Sequence, residues 1–186
     1  MIFPEETGQL CRLFADVLDY PGAALVTSAE DCAAGLKASH NGAAEAMQSF
    51  ADFARSQPPG AMEELYTQTF DVTPANTLYI GYHTFGETPR RSVFLVRLQE
   101  AYQSHGFSGG TELADHLSVL LRFLSVARDR EFAAPLVHDC ILPVLEKMEK
   151  SFPKDRPGYG PAVGSLRRFL GQIDRKLIKS GGLAHD

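Results

Sequence analysis

Apolar residues return along this chain at every third or fourth position, and the two-residue alternation of a half-buried strand is nearly absent. Leu10, Leu13, Phe14, Val17 and Leu18 share one face of a first amphipathic helix, which Tyr20-Pro21-Gly22 stops. Ser28 with Asp31 resembles a capping box opening a short second helix that runs to Ala38, and Asn41-Gly42 breaks it. Met47, Phe50, Phe53 and Ala54 line a third helix, ended by Pro58-Pro59-Gly60. A fourth carries Met62, Leu65, Tyr66, Thr69 and Phe70 on one side and ends at Asp71-Val72-Thr73-Pro74.

The segment from Leu78 to Phe85 is compact and aromatic and predicts a short helix closed by Gly86. Thr88-Pro89 is an N-cap followed by proline at the first helical position, starting a long helix with Phe94, Leu95, Leu98, Ala101 and Tyr102 inside and Gly106 at its end. Leu117, Leu120, Leu121, Leu124 and Ala127 mark the next helix. Residues 131–150 predict another, kinked or split by Pro143. Val163, Leu166, Phe169, Leu170, Ile173 and Leu177 form the inner face of a closing helix, with Arg167, Arg168, Arg175 and Lys176 on other faces. The expectation is an all-α fold: one helical bundle over residues 1–180 with about eight to ten helices, a flexible linker near 106–111, and a loose tail over 181–186.

Composition bounds the function. At 186 residues, with 44% hydrophobic and 22% charged residues, the chain can bury a core without metals or disulfides. Its net charge of −5 is unevenly placed. Residues 1–89 hold only Arg12, Lys37 and Arg55 against twelve acidic residues, while the remainder is net basic. An acidic N-terminal half argues against nucleic acid as a partner there and favours a cationic peptide. Cys11, Cys32 and Cys140 make no Cys-x-x-Cys, so neither a disulfide framework nor a zinc ribbon is supported. The N-terminus lacks the basic and apolar regions of an export signal, and no apolar run nears the ~20 residues of a membrane span, so a cytoplasmic location without stable membrane insertion is expected.

Two stretches stand out from the plain helical pattern. Glu63-Glu64-Leu65-Tyr66-Thr67-Gln68-Thr69-Phe70-Asp71 and Glu112-Leu113-Ala114-Asp115-His116-Leu117 both combine carboxylates with apolar or aromatic side chains. If residues 112–116 were helical, Glu112, Asp115 and His116 would share a face and could ligate a metal. A di-iron bundle needs Glu-x-x-His twice, however, and no Glu-x-x-His occurs. No phosphate-binding loop, dinucleotide fingerprint or nucleophile elbow is present either. As local structure, Glu112 and Asp115 would favour a helix start, and Tyr66 with Phe70 would be an ordinary i, i+4 core pair.

Taken jointly, these stretches resemble the NarJ-type assembly chaperones of respiratory nitrate reductases, within the wider family of redox-enzyme maturation chaperones. The similarity runs best from Glu63 to Ala127: the Glu63–Asp71 helix end, Leu78-Tyr79, His83-x-x-Gly86-Glu87, Arg90-Arg91, Leu95-Val96-x-Leu98, Tyr102-x-x-x-Gly106-Phe107 and the Asp115-His116 step. Leu18-Asp19-Tyr20-Pro21 adds a weaker likeness near the start. Ser92 stands where glycine is usual in nitrate-reductase chaperones, and Ala114 and Ser118 replace common prolines, which leaves other molybdoenzyme clients such as dimethyl-sulfoxide, selenate or chlorate-type reductases open. The resemblance implies a TorD-like all-α fold and a chaperone rather than an enzyme, without a cofactor of its own, working as a monomer or homodimer. Its partner would be the catalytic subunit of a molybdoenzyme, bound through its N-terminal peptide and held until the molybdenum cofactor is inserted. On that basis Phe70, Leu78, Tyr79, Tyr82, Leu113 and Leu117 are expected as apolar anchors, and Glu64, Asp71, Glu112 and Asp115 as partners of peptide Arg or Lys. Tyr66, His83 and His116 complete the expected peptide-binding set. The surviving alternative from another class is a metal-dependent helical enzyme using Glu112, Asp115 and His116.

Overall fold

The computed structural model describes residues 2–153 and 157–181, with side chains through Lys176. Among the described residues ten α-helices follow one another: α1 Glu5–Val17, α2 Leu25–Leu36, α3 Asn41–Arg55, α4 Ala61–Tyr66, α5 Ile80–Phe85, α6 Pro89–Ser104, α7 Leu117–Leu124, α8 Arg130–Pro135, α9 Leu142–Ser151 and α10 Gly160–Gly181. Two π-turns, Thr67–Asp71 and Leu136–Ile141, continue α4 and join α8 to α9, and a single 3-10 turn covers Pro74–Asn76. The architecture is all-α, as the periodicity predicts. The side chain of Leu177 and residues 182–186 of the expected tail lie outside the described residues.

The apolar stripe of each helix explains its place. α1 buries Leu10, Cys11, Phe14 and Val17, and its first turn carries Glu5 and Glu6 where the helix dipole favours acids. α7 buries Leu117, Val119, Leu120, Leu121, Phe123 and Leu124, apolar almost all round, as a central helix must be. α10 lays Val163, Leu166, Phe169, Leu170 and Ile173 against the same core, with Phe14 and Phe169 stacked at 5.2 Å. α6 is different. Of its sixteen residues only Leu98 and Tyr102 are fully buried, while Phe94, Leu95 and Ala101, expected inside, are half-exposed.

Several boundaries differ from the sequence reading, and α7 stops at Leu124, short of Ala127. α2 begins at Leu25, and Ser28 is internal to it, its N–H bonded to the Ala24 carbonyl; the stripe Leu25, Ala29, Cys32, Ala33, Leu36 outweighs the capping signal. Asn41-Gly42 opens α3 instead of lying in the break, which falls at residues 37–40. Leu78 lies in a bend and Tyr79 is extended, so the helix after them starts only at Ile80. Pro143 sits in the first turn of α9, where its missing N–H costs nothing, and the π-turn just before it absorbs the change of register. Gly106 has φ of +62° just past α6, the left-handed stop expected of it.

Candidate functional site

The two acid-and-aromatic stretches meet in space through backbone pairing. Tyr79 and His116 form an isolated antiparallel bridge, flanked by hydrogen bonds from Leu117 N–H to the Leu78 carbonyl at 2.8 Å and from Ile80 N–H to the Asp115 carbonyl at 2.9 Å. Residues 112–116 are therefore a turn leading to that bridge, not a helix. Glu112, Asp115 and His116 consequently do not share a helical face, which removes the geometric premise of the metal-site alternative. Among the described residues no group of three or more His, Cys, Asp or Glu is placed to hold a metal ion.

A small cleft of about 160 Å³ opens beside the bridge. Tyr66, Phe70 and Leu78 are its buried floor, continuous with the core through Tyr159, whose ring lies 4.9 Å from Phe70 and 5.9 Å from Tyr66. Tyr20, 60% exposed, forms an outer lip with its ring edge-on to Tyr66 at 5.4 Å. Asp19, Asp71 and Glu112 supply the charge, and His116 closes one end. The π-turn places Phe70 inward beneath Asp71, which faces solvent, so one widened helical turn gives the cleft both part of its floor and an acid.

Electrostatics divide these acids. Asp19 and Asp16 both bind the Arg122 guanidinium, at 2.8 and 3.0 Å. Asp71 and Glu112 have no such cation among the described residues. Glu112 instead accepts a hydrogen bond from the Tyr79 hydroxyl at 2.9 Å. Burial, followed by that bond, pushes the Tyr79 phenol up to about 12, so it stays a donor at neutral pH. Burial also lowers the His116 imidazole below the usual histidine range, keeping it neutral, and its Nδ1 is hydrogen-bonded to Ser118 Oγ at 2.8 Å.

Asp115 is fully buried. Its carboxylate takes two hydrogen bonds from Arg91, Nε to Oδ2 at 2.9 Å and the second nitrogen to Oδ1 at 3.3 Å, and the same guanidinium lies 5.6 Å over the Tyr79 ring. Asp115 thus holds α6 and Tyr79 in place from below. Gly81 makes room for it: a Cβ there would lie 2.6 Å from Asp115 Oδ2 and 3.0 Å from Phe94. Tyr102 Oη donates to the Ala114 carbonyl at 2.6 Å, fixing the far side of the same turn.

The structure gathers Tyr66, Phe70, Asp71, Leu78, Tyr79, Glu112 and His116 of the expected set around the cleft. Leu117 is buried beneath it, and Leu113 projects outward at 49% exposure. Glu64 is exposed on α4, where its carboxylate accepts from Gln68. Tyr82 and His83 lie on α5, with His83 Nε2 donating to the Thr77 carbonyl at 2.8 Å and its imidazole lowered by burial. Asp19, Tyr20 and Thr77 line the cleft without having been singled out, although Leu18-Asp19-Tyr20-Pro21 carried part of the resemblance.

The family described as nitrate reductase delta subunit matches residues 36–148, well over half of the chain and all of this site except its Asp19–Tyr20 lip. The chain belongs to the nitrate reductase delta subunit family. The NarJ-type resemblance seen in its motifs is therefore matched at the level of the family. Within a curated relative, the probable nitrate reductase molybdenum cofactor assembly chaperone NarJ of Bacillus subtilis (strain 168), 84 residues align at 32% identity. They make up 45% of this chain and 46% of that protein, so the chain spans about half the length of the relative it matches. In this delta subunit family member, no helix among the described residues is long and apolar enough to cross a membrane.

Proposed function

We propose that the protein is an assembly chaperone for the catalytic subunit of a molybdoenzyme, nitrate reductase first among the candidates, and that it acts by binding rather than catalysis. It would hold the apoenzyme for molybdenum cofactor insertion ahead of membrane docking or export. The membership of the nitrate reductase delta subunit family supports the client class. The observation that carries the mechanism is the cleft: an aromatic floor of Tyr66 and Phe70 under the unneutralised carboxylates of Asp71 and Glu112.

A basic side chain of the client's N-terminal peptide fits such a place. Its alkyl stem would lie along Tyr20 and Tyr79 while its charge meets Asp71 and Glu112, with apolar residues of the peptide running on toward exposed Leu113 and Val72. The peptide closes no metal or cofactor site in this reading. Cytoplasmic operation, before the client leaves, follows from the same role.

Calorimetric titration of the protein with N-terminal peptides of nitrate reductase catalytic subunits tests this. Saturable binding is expected that weakens when the peptide's Arg and Lys are replaced by Gln and when Asp71→Asn and Glu112→Gln are combined. Binding indifferent to both changes would falsify the cleft as the docking site. A peptide from a dimethyl-sulfoxide, selenate or chlorate-type reductase that binds more tightly reassigns the client while leaving the cleft in place.

A further inference from the structure

A second cavity, of about 200 Å³, opens between the start of α3 and the outer face of α10, away from the residues of the cleft. Arg167, Arg168, Arg175, Gln172, Gly42 and Gly171 line it. Arg167 and Arg168 share one carboxylate: Arg167 Nε is bonded to Glu149, and an Arg168 nitrogen lies 3.6 Å from the other Glu149 oxygen. Arg175 has no acidic partner among the described residues. Three guanidiniums set against one carboxylate leave two positive charges over.

The remaining polar groups at this cavity are donors too. The side-chain oxygen of Gln172 is taken by His40 Nδ1, so the amide nitrogen is its free end. α3 begins here without a side-chain cap, and the N–H groups of Asn41 and Gly42 meet no acceptor among the described residues. The glycines keep the mouth open. A Cβ on Gly42 would only touch the Arg168 stem at 3.9 Å, and one on Gly171 would meet nothing within 4 Å.

We infer that this cavity binds the phosphoryl end of a small phosphorylated ligand. Guanidinium forks match phosphate oxygens in geometry, and the surplus of two positive charges balances the ~1.5–2 negative charges of a terminal phosphoryl group at neutral pH. The start of α3 adds N–H groups and a favourable dipole to a site the arginines already define. The volume is below the ~300 Å³ at which pockets begin to enclose whole small molecules, so the rest of the ligand lies outside, over Gly171. This site is independent of the peptide reading and stands or falls separately from it.

Calorimetry on the full chain at low salt, with inorganic pyrophosphate, a nucleoside diphosphate and the parent nucleoside, decides the matter. Both phosphorylated probes should bind saturably, more weakly as salt rises, and the nucleoside should not bind. Arg175→Gln should weaken pyrophosphate binding roughly tenfold, the loss of one charge-assisted contact. Gly171→Glu should abolish binding while leaving the melting temperature equal or higher, because the new side chain enters open space and replaces a helix-weakening glycine. The inference is overturned if folded protein shows no saturable pyrophosphate binding, or if either variant binds normally. It is equally overturned if Arg90→Gln on α6 weakens binding as much as Arg175→Gln, which marks diffuse surface charge.

Discussion

Arg91 reaches from α6 to Asp115 with two hydrogen bonds, 2.9 and 3.3 Å long, onto a carboxylate that has no exposure to solvent. Removing one member of a buried ion pair strands the other. Asp115→Ala and Arg91→Ala should each cost about 3–5 kcal/mol in urea unfolding. The double variant should cost clearly less than the sum of the two, because it leaves no orphaned charge. Additive losses would show that the pair does not couple α6 to the turn.

Gly81 is held by the same pair. Alanine is the better helix former by ~1 kcal/mol, yet its Cβ at position 81 would lie 2.6 Å from Asp115 Oδ2. Gly81→Ala is therefore expected to destabilise by about 1–3 kcal/mol, as overpacking does. In the Asp115→Ala background the penalty should shrink to that of the tight contacts with Phe94 at 3.0 Å and Arg91 at 3.3 Å, a non-additivity that chemical denaturation reads directly.

If the cleft takes a basic client peptide as proposed, its charge should govern encounter more than residence. Asp71→Asn or Glu112→Gln should lower the association rate of a basic client peptide several-fold and flatten its salt dependence, with the dissociation rate little changed. Phe70→Ala, which empties the floor, should instead raise the dissociation rate and destabilise the fold by about 3–5 kcal/mol. Stopped-flow binding separates the two effects.

Acid should loosen this protein near neutrality. Burial holds His116 and His83 below the ordinary histidine value of 6.5, so the unfolded chain takes up these protons first as pH falls. The stability they contribute is full above pH 6.5 and is lost progressively beneath it. Asparagine at both positions should flatten the unfolding free energy between pH 7 and the acid limb. His138 works in the opposite direction: buried Asp174, 2.9 Å away, raises its exposed imidazole, so that pair favours the fold at lower pH and ceases to do so as pH rises.

Thiol chemistry offers a check on the core. Burial pushes the Cys11 thiol up to about 12 and raises Cys32 as well, and both side chains are sealed inside α1 and α2. Only Cys140, half-buried in the second π-turn, should react with a thiol reagent in native protein, with the other two reacting after denaturation.

Helical periodicity made the all-α fold legible because most of the long helices bury a stripe of their own, as Leu10, Phe14 and Val17 or Val163, Leu166 and Phe169 do. The boundary at Asn41-Gly42 was not legible: both residues are breakers by habit, and only the tertiary position of α3 makes them its first turn. At the site, Phe70 with Asp71 and Tyr79 with Glu112 were visible as types. What one-dimensional spacing could not show is that Asp115 turns inward to Arg91, twenty-four residues away, while Glu112 turns outward. A buried carboxylate and an exposed one look alike until the partner is placed.

The pairing of Leu78 with Leu117 has a consequence for timing. The floor and two acids of the cleft, Asp19 and Asp71, are contributed before residue 80, but the strand partner that squares them up emerges from the ribosome about forty residues later, after α5, α6 and the glycine linker. An unfinished chain therefore carries half of the cleft, without the turn that flanks it. On the proposed reading, the cleft is complete only once the turn at 112–116 has paired with Leu78 and Tyr79, and any lesion that delays that closure leaves an apolar surface of the newborn protein open for longer.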